Sequence, residues 1–291
     1  MNETGLVSVV MNVHNGEEFI SEALASVFGQ TYSNLEVVVW NNASTDRTQR
    51  ILDSIVDPRL VSYSGNELVP LYEARNSAVQ KSRGDWICFL DADDWWEKSK
   101  VEKQVERLRP GIDAVYSNHF VFNQFTGRAS LYSRRRLPEG QLSSALLRRY
   151  VVGFLTLMVS RRAYERAKFD PSFQIIGDFD FVTRVSRMSE MACVQEPLAW
   201  RRVHLGSESE QKKAIHLAEL VRWQSEAQVS GLLSGEELRN LGRMVHAKRA
   251  EVNFENHEYL GALLELLRAR PLGRQVRVAQ RILTTCRSLG V

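Results

Sequence analysis

Residues 86–94 run Trp86-Ile87-Cys88-Phe89-Leu90-Asp91-Ala92-Asp93-Asp94, so that five apolar residues pass directly into an acidic segment. A short, continuous apolar run is typical of a strand buried in a parallel sheet. Three carboxylates so close together repel one another, and burial raises their pKa values unless a cation neutralises them. Oxygen ligands suit Mg²⁺ or Mn²⁺. The run therefore predicts a divalent-ion site at a strand end, with a solvated acidic turn as the alternative.

Similar apolar runs precede this one, and segments with helical spacing separate them. The predicted strands are 6–11, 35–40, 60–62 and 86–90. We expect a doubly wound, mostly parallel and Rossmann-like α/β sheet, with Ser44 or Thr45 as the N-cap of the second helix. Ligands bind such sheets outside the carboxyl ends of the strands, so the polar segments 12–16, 41–46 and 91–94 should gather at one edge.

The remaining chain divides into a mixed part and a helical part. A helix is predicted from Glu97 to about Arg109, then strands at 114–122 and 155–159 with a turn at 123–127. From Gln211 the pattern is helical, with breaks near Gly231 and at 271–273. We predict a catalytic domain at 1–210 and a helical C-terminal extension at 211–291.

Composition is typical of a globular protein and argues against a disulfide-rich or nucleic-acid-binding one. Apolar residues make up 44% and charged residues 25%, which is ordinary for a globular chain. Three widely spaced cysteines form neither a disulfide framework nor a CxxC metal pattern, which predicts a reducing, cytoplasmic setting. A strand is predicted from Leu6 onward, so no signal peptide is expected. A net charge of +3 does not indicate a nucleic-acid partner.

Five motifs in residues 7–94 resemble the opening of family 2 glycosyltransferases, the inverting enzymes of the GT-A fold. They are Asn12-Val13-His14-Asn15, Ser26 to Gln30-Thr31, Asn41-Asn42-Ala43-Ser44-Thr45-Asp46-Arg47-Thr48, Glu73-Ala74-Arg75-Asn76 and Gly84 to Asp94. The resemblance implies that Asp93 binds the metal ion and that Asp91 and Ala92 lie against the ribose and phosphates of a nucleotide sugar. It implies that Arg75 contacts the nucleotide; a simple ion pair with Asp91 or Asp93 is the alternative.

The same resemblance implies a pocket for the nucleobase. Val13 and His14 would border the base. Asn41 stands where the family commonly has an Asp that accepts the imide N–H of uracil. An Asn carbonyl can accept the same bond without charge assistance, so a uridine donor is favoured but not fixed.

Two later motifs resemble the acceptor side of the family. Within Gly177-Asp178-Phe179-Asp180, the match makes Asp178 the catalytic base, and Asp180 braces the site or caps the helix; an exchange of these two roles is the alternative. In Arg202-Val203-His204, His204 is a metal ligand or a structural histidine, and Arg202 could offset phosphate charge.

Two basic segments each have two possible roles. Arg134-Arg135-Arg136 either meets an anionic acceptor or forms a solvated turn. Arg270, Arg274, Arg277 and Arg281 share one stripe of a predicted amphipathic helix, which either lies on an anionic membrane surface or packs on the catalytic domain or on a second subunit of a homodimer.

The family resemblance implies an enzyme of bacterial surface polysaccharide synthesis, such as O-antigen assembly. It would transfer a hexosyl group from a nucleotide diphosphate sugar, UDP-sugar favoured, to a saccharide or lipid-linked saccharide, with Mg²⁺ or Mn²⁺. It would lie in the cytoplasm or peripherally on the inner face of the membrane. The alternatives are a nucleotidyltransferase and a non-catalytic nucleotide-sugar-binding protein; residues 12–16 lack the basic residue that the former needs.

Overall fold

The computed structural model describes residues 5–205, 212–269 and Thr284. The chain forms two compact units, one of Met1–Ser143 with Val151–Leu205 and one of Ser144–Tyr150 with Gly206–Val291. The predicted boundary at 210 and the predicted basic helix of residues 270–289 lie outside the described residues, apart from Thr284. Both stay predictions.

The first unit is built on a sheet of nine strands, counted over the described residues, in the order β3-β2-β1-β4-β8-β6-β9-β5, with β7 paired to β6. In chain order the strands are Val7–Val13, Leu35–Asn41, Leu60–Ser64, Trp86–Asp91, Trp95–Trp96, Ile112–Asn123, Arg128–Leu131, Met158–Ser160 and Glu190–Val203. Strands β3, β2, β1 and β4 are parallel, which confirms the predicted doubly wound half. β8 runs antiparallel to β4 and β6, while β6 and β9 are parallel.

Helices cover the sheet and form the second unit. In chain order, α1 to α10 are Ile20–Phe28, Thr48–Ser54, Leu71–Lys81, Lys100–Val105, Ser143–Arg148, Arg161–Ala167, Gly177–Met188, Lys213–Val229, Gly235–Glu255 and Tyr259–Ala269. The N-cap predicted for α2 is wrong. The carboxylate of Asp46, not Ser44 or Thr45, accepts the N–H of Thr48, at 2.9 Å, because Ser44 Oγ instead accepts the N–H of Asn15.

The core lies between the parallel strands and α1. Val9, Val37 and Cys88 stand side by side on β1, β2 and β4 and are 0% exposed. Ile20 and Leu24 of α1 pack on the same cluster. Because the strands carry apolar side chains on both faces, their carboxyl ends are held firmly at one edge of the sheet.

The strand predicted at 155–159 is shorter and later than expected. A 3₁₀ turn spans Phe154–Thr156, and β8 covers only Met158–Ser160. The reason is that side chains take the carbonyl groups that a strand ladder would use. Trp96 Nε1 donates to the Leu155 carbonyl at 2.9 Å, and Gln104 Nε2 donates to the Thr156 carbonyl at 2.7 Å.

The second unit is helical. The predicted break near Gly231 is confirmed: α8 ends at Val229, and Gly231 has a φ of +64°. α9 begins with a capping box between Ser234 and Glu237. Ser144 Oγ of the segment 144–150 donates to Glu237 Oε1 at 3.0 Å. Over residues 5–205 and 212–269, no helix combines the length and hydropathy of a membrane span.

Candidate active site

A buried arginine connects α3 to the end of β4. Arg75 is 5% exposed, and its Nη2 donates to Asp91 Oδ1 at 2.5 Å. The guanidinium lies 4.5 Å from the ring centre of Phe154. Burial opposes the charge of Arg75, but Asp91, Tyr72 and Asp178 outweigh it and raise its pKa. The ion-pair alternative of the sequence is therefore present, and one face of Asp91 stays accessible, since its side chain is 42% exposed.

Asp178 is the second residue of α7 and is partly buried. Burial raises the pKa of its carboxyl group, while the charge of Arg75 and the N–H of Phe179, which donates to Oδ1 at 2.8 Å, partly offset that effect. Asp91 also contributes a repulsive interaction to this pKa. A carboxylate with a raised pKa beside a fixed cation has the properties of a general base.

The position of α7 is set by α3. Tyr72 donates its hydroxyl hydrogen to the carbonyl of Ile175 at 2.9 Å. Asn76 holds Phe169 by both backbone groups, donating to its carbonyl at 2.9 Å and accepting its N–H at 3.1 Å, and it also accepts the hydroxyl of Tyr164 at 2.6 Å. Sequence reasoning assigned Tyr72 and Asn76 no role. Tyr72, Arg75 and Asn76 stand at positions i, i+3 and i+4 of α3 and so share one face of the helix. This spacing was the feature of the sequence that could have identified them.

Asp180 is engaged elsewhere. It is 5% exposed, and both of its oxygens accept hydrogen bonds from Nε of Arg184 at 3.1 Å. Arg184 in turn donates through Nη2 to the carbonyl of Lys168 at 2.8 Å. Asp180 thus ties α7 to the end of α6, in agreement with a bracing role.

The acidic segment continues into a second pair, between Asp93 and His204. Asp93 Oδ2 and His204 Nε2 lie 2.9 Å apart, and the side chains are 32% and 20% exposed. Burial, followed by the charge of Asp91, raises the pKa of Asp93. In the described residues no group of three His, Cys, Asp or Glu side chains converges as a metal site. The Asp93 carboxylate still fits Mg²⁺ or Mn²⁺, because such ions take one or two carboxylates and complete their shell with waters and substrate phosphates, and the His204 imidazole lies beside it as a possible further ligand.

Asp94, the third carboxylate, binds the backbone that precedes His204. It is 5% exposed and accepts the backbone N–H of Arg202 at 2.8 Å; burial and the neighbouring aspartates raise its pKa well above the usual range. The guanidinium of Arg202 lies 4.6 Å from the ring centres of Phe19 and Trp95 and pairs with Glu22. Arg202 therefore has a carboxylate partner within the chain, which sequence reasoning missed.

The residues predicted to contact the nucleobase lie at the ends of β1 and β2. Val13 and Asn41 are neighbours across the two strands. His14 Nδ1 lies 2.9 Å from the carbonyl of Asn42. Asn41 is 3% exposed; its Oδ1 accepts the N–H of Ser44 at 3.1 Å and its Nδ2 donates to Gln49 at 2.8 Å.

Ala92 lies beside the loop that follows β1. A Cβ atom at Gly16 would stand 3.6 Å from Cβ of Ala92 and only 2.4 Å from Cγ2 of Val13, so this loop needs a glycine for its close approach. The structure thus brings the predicted residues together as three neighbouring groups: Arg75 with Asp91 and Asp178, Asp93 with His204, and Val13 with His14 and Asn41.

Comparison with known proteins gives the family. The model of glycosyl transferase family 2 matches residues 8–170, more than half of the chain. The chain belongs to glycosyltransferase family 2. It is an enzyme of this class, so the nucleotidyltransferase and non-catalytic alternatives fall away.

Relatives and a solved structure add detail. The glycosyltransferase is 26% identical over 211 residues to UDP-Glc:α-D-GlcNAc-diphosphoundecaprenol β-1,3-glucosyltransferase WfaP of Escherichia coli, covering 71% of this chain and 81% of the relative. It is 31% identical over 157 residues to WfgD of the same species, which carries the same activity name, covering 54% of this chain and 60% of the relative. The mannosyltransferase PcManGT of Pyrobaculum calidifontis, solved with GDP-Man and Mn²⁺, superposes with a TM-score of 0.64 at 17% identity, covering 98% of this chain and 81% of that one. This likeness confirms the GT-A fold.

Proposed function

We propose that this glycosyltransferase transfers a hexosyl group from a nucleoside diphosphate sugar to a saccharide acceptor with inversion, and that Asp178 is the base. The observation that carries the proposal is the placement of the Asp178 carboxylate beside Arg75, next to the Arg75–Asp91 pair at the carboxyl edge of the sheet. Fold alone does not assign a reaction, whereas a raised-pKa carboxylate in the ligand crevice does suggest one.

The reaction is a single displacement. The acceptor hydroxyl gives its proton to the carboxylate of Asp178 while its oxygen attacks the anomeric carbon, and the nucleoside diphosphate leaves from the opposite face. Arg75 holds Asp91 in place and keeps a positive charge near the base. This charge limits the rise in the pKa of Asp178 and so favours the ionised carboxylate, the form that accepts a proton.

Asp93 and His204 are the residues that would hold a divalent ion, Mg²⁺ or Mn²⁺. Such an ion supplies Lewis-acid stabilisation for the charge that builds on the leaving diphosphate. The donor set supports this assignment, since one carboxylate oxygen and one imidazole nitrogen lie side by side at the end of the Asp91-Ala92-Asp93 (DXD) segment. Mn²⁺ accompanies the sugar nucleotide in PcManGT.

A UDP-sugar is the favoured donor. WfaP and WfgD are both named for transfer from UDP-Glc. Asn41 Oδ1 already accepts one hydrogen bond, from Ser44, and a carbonyl oxygen has a second lone pair that can accept an imide N–H. In this proposal Val13, His14 and Asn41 contact the nucleobase of the donor, and Asp91 and Ala92 contact its ribose and phosphates.

The acceptor is proposed to be a lipid-linked saccharide of a bacterial surface polysaccharide, because both Escherichia coli relatives are named for a GlcNAc-diphosphoundecaprenol acceptor. Such acceptors reside in a membrane, so the enzyme would work peripherally at its cytoplasmic face. The catalytic domain is proposed to span 1–210, with 211–291 as the helical extension.

The test is a donor panel. UDP-, GDP- and dTDP-sugars are added with and without Mn²⁺, and both the melting temperature and transfer to a GlcNAc-diphosphate lipid are measured. We expect metal-dependent stabilisation, largest with a UDP-sugar, and a product of inverted anomeric configuration. A panel in which no donor stabilises the chain and no sugar is transferred would falsify the proposal.

A further inference from the structure

The arginine turn, residues 134–136, is fixed at both ends by the sheet. Before it, Asn118 of β6 donates to the carbonyl of Ser133 at 2.8 Å and accepts its N–H at 3.2 Å. After it, Gln195 of β9 accepts the N–H of Leu137 at 2.8 Å and donates to its carbonyl at 3.0 Å. Because two strands hold its backbone, the turn presents its side chains from a defined place.

Two guanidinium groups of the arginine turn are available. Arg136 pairs with Glu139 at 2.9 Å. Arg134 and Arg135 are exposed, and among the described residues neither guanidinium has a carboxylate or other hydrogen-bonding partner. Adjacent unpaired guanidinium groups suit an anion with several oxygens, since each can donate two parallel hydrogen bonds.

The register of the sheet locates this turn relative to the active site. Met158 of β8 pairs with Cys88 of β4 on one side and with Val115 of β6 on the other. Asp91 and Asn118 lie three residues further along these two strands, which run in the same direction. Both residues therefore lie towards the same edge of the sheet, on strands separated by β8. The arginine turn flanks Asp91 on the β6 side.

The β6 side of β4 is also the side on which α7 packs. α7, which carries Asp178, packs against β6 and β9. Val13 and Asn41, which are proposed to contact the nucleobase, lie on β1 and β2, on the other side of β4. An anion held by the arginine turn would thus lie on the α7 side of β4, away from the proposed nucleobase contacts.

We infer that Arg134 and Arg135 bind the diphosphate of a lipid-linked saccharide acceptor. The inference rests on the proposed function. In such an acceptor the diphosphate is attached to the sugar that carries the reacting hydroxyl, so it lies one sugar ring from the base. The turn therefore selects acceptors that carry a diphosphate over neutral glycosides.

The test compares two double variants of the full chain. Arg134→Gln/Arg135→Gln removes the two charges. Arg50→Gln/Arg128→Gln removes two exposed arginines of α2 and β7 as the matched control. Calorimetry at saturating UDP and Mn²⁺ measures the affinity for N-acetylglucosaminyl diphosphate on a short alkyl chain, and for the same alkyl glycoside without phosphate.

We expect the Arg134/Arg135 variant to bind the diphosphate probe about tenfold more weakly than the control variant, and the phosphate-free glycoside equally well. Equal affinities of the two variants for the diphosphate probe would overturn the inference. It is also overturned if the Arg134/Arg135 variant loses binding only to phosphatidylglycerol vesicles, because the ligand is then the membrane surface. Failure of the proposed function shows separately, as a wild-type chain that transfers no sugar.

Discussion

Gly177 lies so close to the ring of Tyr72 that a Cβ atom at this position would stand 2.5 Å from Cε2. Tyr72 is 2% exposed and fixed by its hydrogen bond to Ile175. The first turn of α7 therefore rests directly on α3, and Asp178 is the next residue along the chain. The location of the proposed base depends on this contact between a glycine and an aromatic ring.

Gly177→Ala is expected to move α7 off the ring of Tyr72. The ring is rigid and buried, so we expect a loss of about 1–3 kcal/mol of stability and at least a tenfold fall in kcat. Gly235→Ala is the matched control, because Gly235 is also the first residue of a helix but its Cβ would meet only Arg239 Nη1, at 3.5 Å. Urea unfolding and transfer kinetics measure the two effects. Equal behaviour of both variants would show that the contact is not needed.

Asn76→Ala leaves the backbone N–H and C=O of Phe169 without their partner. We expect a loss of about 2–3 kcal/mol of stability, since buried polar groups become unpaired. The segment before α7 loosens, so kcat should fall while the KM for the donor changes little. Gln80→Ala, on the exposed side of the same helix, is the control and should leave both constants unchanged. A kcat that is equal in the two variants would contradict the prediction.

Asp178→Asn is expected to abolish transfer and to raise the melting temperature at pH 7. Burial raises the pKa of this carboxyl in the folded chain, so the stability it confers is present at low pH and lost as the pH rises through that pKa. The variant carries no charge at this position, so it regains at pH 7 the stability that the ionised carboxylate costs. The gain should shrink at an acid pH below the raised pKa, because Asp178 in the wild type is then protonated. Calorimetric scans at both pH values check the sign.

The pH profile of the wild type reports the same group. Asp178 must be ionised to accept a proton, and its pKa is raised by burial. The acid limb of kcat/KM should therefore lie above the ordinary carboxyl range of about pH 4. Steady-state kinetics with a donor at subsaturating concentration measure it. A limb at or below the ordinary range would argue that another group is the base.

Asp93→Asn removes one of the two proposed metal ligands. We expect the Mn²⁺-dependent stabilisation by UDP to fall strongly, while any metal-independent binding persists. Glu106→Gln, at an exposed position directly after α4, removes the same charge and should behave as the wild type. Titration of Mn²⁺ by thermal shift separates the two. Wild-type behaviour of Asp93→Asn would remove Asp93 from the metal site.

The parallel half of the fold was predictable because its residues obey local rules. Apolar runs of five or six residues, such as Trp86 to Leu90, read as buried strands, and polar residues directly after them mark the ligand edge. Asp91, Asp93 and Asp178 could be named as candidates because each lies within a recognisable motif.

Long-range side-chain contacts were not predictable. Trp96 and Gln104 shorten β8 by taking carbonyl groups from residues more than 50 positions away. Asp94 is committed to the backbone of Arg202, which is separated from it by 108 residues. Hydrophobic periodicity describes one element at a time, so it carries no information on which side chain reaches which distant backbone group.

The segment Ser144–Tyr150 has a consequence for modularity. The chain leaves the first unit at residue 143, contributes seven residues to the helical unit, returns at residue 151 and leaves again after Leu205. A gene fragment ending at Leu205 would encode Ser144 without Glu237, to which it is hydrogen bonded. Recombination at a single junction therefore cannot transplant the helical unit between relatives, so the two units should be inherited and engineered together.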